Sequence, residues 1–215
     1  MKKCVIIGAC DCNLSKADLD ILKESVVICA DGGYKTALKY GIKPDFTIGD
    51  FDSLGYIPDA ENVISHSSIK DDTDTALCVQ KALKLGCDEF YIFGAVGGRI
   101  DHSLANFQLI CKIAQDKHRC FLISDDFFVT AISNDTLHLK PQTSGIVSIF
   151  CMGQSVCDIS IKGLKYELEN SPFPSFTTLG VSNEFVGKNA EISTPNGTLL
   201  IMVQRCRDIS NTFYI

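Results

Sequence analysis

Residues 90–123 read FYIFGAVGGRIDHSLANFQLICKIAQDKHRCFLI, and the order of residue types in this stretch decides the fold class. Phe90–Phe93 is a short apolar run with the character of a buried strand. A glycine-rich turn begins at Gly94, an amphipathic stretch covers His102–Ala114, and a second strand-like run follows at Cys120–Ile123. A strand, a helix of that length and another strand make a crossover connection. The strands must then pair in parallel, in a sheet covered by helices.

The same alternation extends toward the N-terminus. Strand-like runs occur at Cys4–Ile7, Val26–Cys29, Phe46–Ile48 and Asn62–Ser65. Amphipathic segments lie at Ala17–Lys23, Tyr34–Tyr40 and Ala76–Leu85, the last ending at Gly86, a good helix stop. After about Asp125 the texture changes. Short strands are predicted at Phe128–Ile132, Thr136–Leu139, Ile146–Phe150, Asp158–Ile161, Ala190–Thr194 and Thr198–Gln204. Turn signals separate them (Asn134-Asp135, Pro141, Pro195-Asn196-Gly197), Glu169–Pro174 is irregular, and no helical period survives. The expected architecture is α/β followed by all-β. A Rossmann-like parallel-sheet domain spans 1–125, an antiparallel β-sandwich or barrel domain spans 126–215, and the boundary lies near Ser124–Phe128.

Bulk properties exclude several classes. The 215 residues are 46% hydrophobic and 21% charged, an ordinary globular balance, and the formal net charge of -6 argues against nucleic-acid or anionic-membrane binding. The start MKKCVIIGAC reads as a first strand rather than a secretion signal, and no apolar run approaches the roughly 18 residues of a spanning helix. A soluble, cytoplasmic protein is expected. The 11 cysteines are odd in number and contain no CxxC pair, so no structural zinc site is expected. Free, reduced thiols fit better, with a redox or metal role for Cys10 and Cys12 left open.

Four polar clusters follow predicted strands, where loops leave the carboxyl ends of a parallel sheet and ligands gather. The glycines of Ala30-Asp31-Gly32-Gly33 permit close approach to a ligand, and the helix beginning near Tyr34 would aim N–H groups at an anion; an ordinary turn reads the same way. In Gly49-Asp50-Phe51-Asp52-Ser53, residues two apart share a face, so Asp50 and Asp52 can converge. Two close carboxylates call for a cation, and Mg²⁺ suits oxygen ligands with positions left for phosphate; a solvated acidic loop is the alternative. In Lys70-Asp71-Asp72-Thr73-Asp74, Thr73 or Asp72 can cap a helix whose first turn favours Asp74. Three aspartates beside Lys70 also suit a second group of metal ligands, with Lys70 on phosphate. Residues 94–102 form a candidate phosphate cradle in which Arg99 stabilises charge. Asp101 positions Arg99, touches substrate or caps the helix, and His102 is a helix-start residue. The chain has no GxxxxGK(S/T) and no strict GxGxxG.

In their order, ADGG at 30–33, KPDFTIGDFDS at 43–53, KDDTDT at 70–75 and GGRIDHSLAN at 97–106 closely resemble the thiamine pyrophosphokinase family. GLKY at 163–166 and GVSNE at 180–184 look like that family's thiamine-site segments. The resemblance implies transfer of diphosphate from ATP to the hydroxyl of thiamine, giving thiamine diphosphate and AMP. It implies Mg²⁺ at Asp50, Asp52, Asp71 and Asp74, which with Arg99 form the catalytic set. It also implies a binding set of Asp31, Gly32, Gly33, Lys70, Thr73, Gly98 and Asp101, with Tyr166, Ser182 and Asn183 on thiamine. Asp72 occupies a variable position of the pattern. A homodimer with the active site at the subunit interface is implied as well. Animal members carry Trp where this chain has Tyr166. The same residues would also serve a diphosphotransferase with another alcohol acceptor such as a hydroxymethyl-pterin, a catalytically silent sensor, or an Mg²⁺-dependent phosphohydrolase.

Overall fold

The computed structural model describes residues 1–52, 54–65 and 72–214. They divide into two compact units, Met1–Leu109 with His118–Asp125, and Ile110–Lys117 with Asp126–Ile215. The first contains β1 (Lys3–Ile7), β2 (Ser25–Ala30), β3 (Phe46–Gly49), β4 (Val63–Ser65), β5 (Glu89–Phe93) and β6 (Arg119–Ile123). All pair in parallel, in the order β6-β5-β1-β2-β3-β4. β5 is buried throughout, β1 and β6 at every residue but the first, and Ile6, Ile28, Phe90, Ile92 and Phe93 fill the core.

Helices α1 (Lys16–Leu22), α2 (Gly33–Lys39), α3 (Asp74–Lys84) and α4 (Ile100–Gln115) alternate with these strands, and α4 groups with the second unit from Ile110 onward. Ser15 and Asp18 cap the start of α1 reciprocally, and Thr73 Oγ1 caps α3 by accepting from Ala76 N at 3.2 Å. The chain lays β1 to β4 outward in one direction, then places β5 and β6 on the other side of β1. The winding therefore reverses between β1 and β5, the kind of switch point at whose carboxyl end ligands gather in open parallel sheets. At the opposite edge Glu89, only 1% exposed, accepts from the Tyr91 hydroxyl at 2.8 Å, and Arg119 Nη1 lies 3.8 Å from Glu89 Oε1.

The second unit is antiparallel. It contains β7 (Phe127–Leu139), β8 (Ile146–Met152), β9 (Val156–Lys162), β10 (Leu168–Pro174), β11 (Asn183–Glu184), β12 (Ala190–Gln204) and the short helix α5 (Ile209–Thr212). β12 pairs along one side with β7; on its other side the early part pairs with β9 and the later part with β8. β10 adds to β9 and β11 to β8.

Several expectations are corrected here. Phe128–Ile132 and Thr136–Leu139 form one strand, as do Ala190–Thr194 and Thr198–Gln204. Pro195-Asn196-Gly197 marks a bulge, not a chain reversal. Asn134 and Gly197 take positive φ values of 47° and 129°, Gly197 N donates to Asn134 Oδ1 at 2.8 Å, and β12 changes partner there. Glu169–Pro174 does carry the expected irregularity, a register shift between Leu168 and Ser171 with a positive φ of 41° at Asn170. Yet it runs within β10, which among the described residues pairs with β9 alone, and an edge strand tolerates proline. A helical turn, α5, does occur in this half. Cys151 and Cys157 form a disulfide rather than free thiols; they bridge the turn between β8 and β9 with Cα atoms 5.8 Å apart.

The other nine cysteines form no disulfide. Burial, with help from Asp125, pushes the Cys12 thiol up to about 11, and burial pushes Cys29 and Cys111 up to about 12, from an ordinary value of 9.0. These folded values lie above the unfolded one. The stability they contribute is complete below pH 9 and is lost as pH rises toward 12. Tm measured against pH is expected to hold level to about pH 8.5 and fall steadily by pH 11; a flat profile would contradict the buried thiols.

Candidate active site

Two neighbouring strands end in acidic loops. Asp31 follows β2 and Asp50 follows β3, and the parallel register pairs Ala30 with Ile48. Asp31 N donates to Ile48 O at 2.8 Å, which draws the first loop across the end of β3. Gly49 makes room for it, since a Cβ there would stand 2.9 Å from the Asp31 Cα. Asp31 and Phe51 both adopt positive φ, 45° and 61°, so each loop bends sharply after its strand. Asp52 N approaches Asp50 Oδ1 at 3.4 Å. Carboxylate oxygens of Asp31, Asp50 and Asp52 all lie within 4.8 Å of one another.

Three like charges so close repel unless a cation joins them. Asp31 Oδ1 is buried without a hydrogen-bond partner among the described residues. A buried carboxylate oxygen of that kind is costly unless something charged meets it. An all-oxygen donor set with an orphaned buried oxygen fits a hard divalent cation such as Mg²⁺. The sequence joined Asp50 to Asp52 but assigned Asp31 elsewhere. The signal it lacked was the adjacency of β2 and β3.

Lys70 and Asp71 lie outside the described residues. Asp72 is exposed and accepts from Gln80 Nε2 at 2.9 Å. Thr73 uses its hydroxyl as the α3 cap, and Asp74 is the first residue of that helix; it is not part of the group formed by Asp31, Asp50 and Asp52. Gly32 and Gly33 are buried at the start of α2 against the end of β1, where a Cβ on Gly33 would come within 1.9 Å of Ile7 O.

The glycine-rich turn follows β5 at that switch point. Gly94, Gly97 and Gly98 take positive φ values of 61°, 110° and 60°. Cys10 N donates to Gly94 O at 2.9 Å and Cys10 Sγ to Gly97 O at 3.3 Å, so the loop after β1 holds one side of the turn. Arg99 donates to both oxygens of Asp101, from Nε at 3.2 Å and Nη2 at 2.6 Å. Both side chains are exposed, and the guanidinium holds the Asp101 carboxyl below its usual range. Asp101 thus orients Arg99 and also accepts from His102 N at 3.0 Å.

In the second unit Tyr166, Ser182 and Asn183 come from two segments that run side by side. Asn183, 5% exposed, accepts from Tyr166 N at 3.0 Å and Glu184 N at 2.9 Å and donates to Tyr166 O at 2.7 Å. Its amide therefore fixes the Tyr166 backbone, and the residue remains 58% exposed. Lys165 Nζ lies 5.4 Å from the ring centroid and pairs with Glu184 at 2.7 Å. Ser182, with φ of 62°, donates its N–H to Ser148 Oγ at 3.1 Å.

The class is defined first by this plan: a parallel α/β unit with acidic and glycine-rich loops at its carboxyl edge, followed by an antiparallel β unit. Two family models match the chain in that order, thiamin pyrophosphokinase catalytic domain over residues 19–122 and thiamin pyrophosphokinase vitamin B1 binding domain over residues 135–199. The chain belongs to the thiamine pyrophosphokinase family. It is similar to thiamine pyrophosphokinase of Bacillus subtilis (strain 168), 29% identical over 187 residues covering 84% of this chain and 87% of the relative. Thiamin pyrophosphokinase 1 of Caenorhabditis elegans is 27% identical over 176 residues, covering 75% and 72%. The solved structure of the Bacillus subtilis thiamine pyrophosphokinase aligns with a TM-score of 0.83 at 27% identity, over 94% of this chain and 99% of that one. The Candida albicans thiamin pyrophosphokinase shares the fold, with a TM-score of 0.77 at 15% identity over 94% and 88%.

Proposed function

We propose that this chain transfers the terminal diphosphate of ATP to the hydroxyl of thiamine, giving thiamine diphosphate and AMP, in an Mg²⁺-dependent reaction. The observation that carries the metal-dependent chemistry is the meeting of Asp31, Asp50 and Asp52 around a buried, unpartnered carboxylate oxygen. Those three, with Asp71 and Asp74 of the family pattern, would hold Mg²⁺, which when bound offsets charge on the phosphates. Residues 1–125 act as the nucleotide-binding catalytic domain and 126–215 as the thiamine-binding domain. The glycine-rich turn presents backbone amides to phosphate, the Gly98 N–H among them. Arg99, oriented by Asp101, stabilises charge on the transferring group, and Lys70 assists. The thiamine hydroxyl attacks the β-phosphorus in line as the bond to the α-phosphate oxygen breaks. A carboxylate of the site accepts the hydroxyl proton, and orientation supplies most of the remaining catalysis.

Tyr166 offers its exposed ring to the cationic thiazolium, and Ser182 lines the same site while Asn183 holds Tyr166 in place. Tyr166→Ala is expected to raise the KM for thiamine by about tenfold, with Tyr166→Phe within about twofold of wild type, as a cation–π contact of 0.5–2 kcal/mol requires. Initial rates at varied thiamine check this, and an unchanged KM in the alanine variant removes the ring from the site. The working protein is a cytoplasmic homodimer with its active site at the subunit interface. The nine cysteines outside the disulfide suit a reducing compartment. Among the described residues no helix is long and apolar enough to cross a membrane.

Incubation with ATP, Mg²⁺ and thiamine, followed by mass analysis, tests the reading. Thiamine diphosphate and AMP are expected in equal amounts. Phosphate release without an acceptor product would sink it.

A further inference from the structure

The glycine-rich turn after β5 has three residues with positive φ in five positions, so nothing in its own side chains holds its shape. The bracing comes from outside the turn. On one side stands Cys10, as described. On the other, α4 reaches back from its first two turns. Asn106, 5% exposed, donates its side-chain amide to Ala95 O at 2.7 Å. Ser103 Oγ accepts from Gly97 N at 3.1 Å and donates to Arg99 O at 3.3 Å. Gly98 N, between those tied points, makes no hydrogen bond among the described residues and remains a donor for an anion.

We propose that Asn106 is a positioning residue for the nucleotide: by tying Ala95 to α4 it fixes the path of the glycine-rich turn, and with it the Gly98 amide and the backbone of Arg99. This rests on the proposed reading of the turn as a phosphate cradle. Asn106 itself touches no substrate. Its amide is buried against the turn, and its one described bond is spent on Ala95. Ser103 makes the neighbouring tie, so the two act on the same loop from the same helix.

The test compares the full-length wild type with Asn106→Ala, the isosteric Asn106→Asp, which loses the donor, and Ser103→Ala. Glu89→Gln, at the opposite edge of the same sheet, controls for lost stability. Affinity for ATP with Mg²⁺ is measured by calorimetry without thiamine, and KM values for ATP and thiamine come from rates. Both Asn106 variants should weaken ATP binding and raise its KM by about tenfold or more, as the loss of a group that orients a binding group does, with the thiamine KM unchanged. Ser103→Ala should move the same parameter by less, and Glu89→Gln should lower Tm while leaving the ATP KM alone. ATP affinity within twofold of wild type in both Asn106 variants overturns the proposal. So does an equal rise in both KM values, or failure of both variants to fold, which would make Asn106 a core residue. A wild-type chain that binds ATP but forms no thiamine diphosphate sinks the acceptor reading, and the calorimetric comparison still decides this one.

Discussion

Replacing Asp31 by Asn is expected to lower thiamine diphosphate formation by on the order of 100-fold or more, while leaving Tm in the absence of divalent cation unchanged or raised. The two effects have one cause. Asp31, Asp50 and Asp52 crowd their oxygens within 4.8 Å, so removing one charge relieves repulsion in the metal-free protein and removes a ligand from the loaded one. Asparagine is nearly isosteric with aspartate and tolerates the positive φ of 45° found there, so the loop keeps its shape. Wild type should gain Tm on addition of Mg²⁺, since a ligand that binds only the folded state stabilises it, and the variant should gain little. Thermal melts with and without Mg²⁺, beside turnover, check both halves. An Asp31→Asn protein with turnover within threefold of wild type and an undiminished Mg²⁺ shift would exclude Asp31 from the site.

Gly33→Ala is expected to cost about 3 kcal/mol or more, a fall in Tm of roughly 6–12 °C, together with most of the activity. The added Cβ would lie 1.9 Å from Ile7 O, 2.6 Å from Ile7 C and 2.9 Å from Gly8 O. These are backbone atoms at the end of the central strand, so no side chain can rotate away, and α2 must lift off β1. The start of α2 adjoins Asp31, so the displacement reaches the acidic loops. Gly41→Ala is the matched control. Its φ of 64° brings left-handed strain of about 1–2 kcal/mol, but nothing lies within 4 Å of the added carbon. Equal melting temperatures for the two variants would show that the close approach at Gly33 carries no weight.

Much of this architecture was legible in the chain because its α/β half obeys local rules. Strand, turn and helix alternate at lengths that leave parallel pairing as the solution, and all four helices appear within about two residues of their expected bounds. Asp50 with Asp52, and Arg99 with Asp101, were legible for a similar reason: each pair is two residues apart in the chain, the first on one loop and the second across the start of α4. What stayed hidden depends on contacts remote in sequence. Asp31 joins Asp50 only because β2 and β3 are neighbours, and Asn106 meets Ala95 only because α4 packs back over the turn that precedes it. In the β half, Pro195-Asn196-Gly197 carries the composition of a reversal, yet its neighbours already pair with β7 on both sides of it, which turns the same residues into a bulge. The pairing of Cys151 with Cys157 follows from the turn that joins β8 to β9, which spacing alone does not announce.

That bulge has a consequence for how the β unit comes apart. β12 belongs to the β9 side before it and to the β8 side after it, so neither side can peel away without tearing a strand it shares with the other. Partial opening is thereby confined to the rims, to β10 and β11. The amides of Leu199–Val203, paired on both flanks, exchange with solvent only when the whole unit melts.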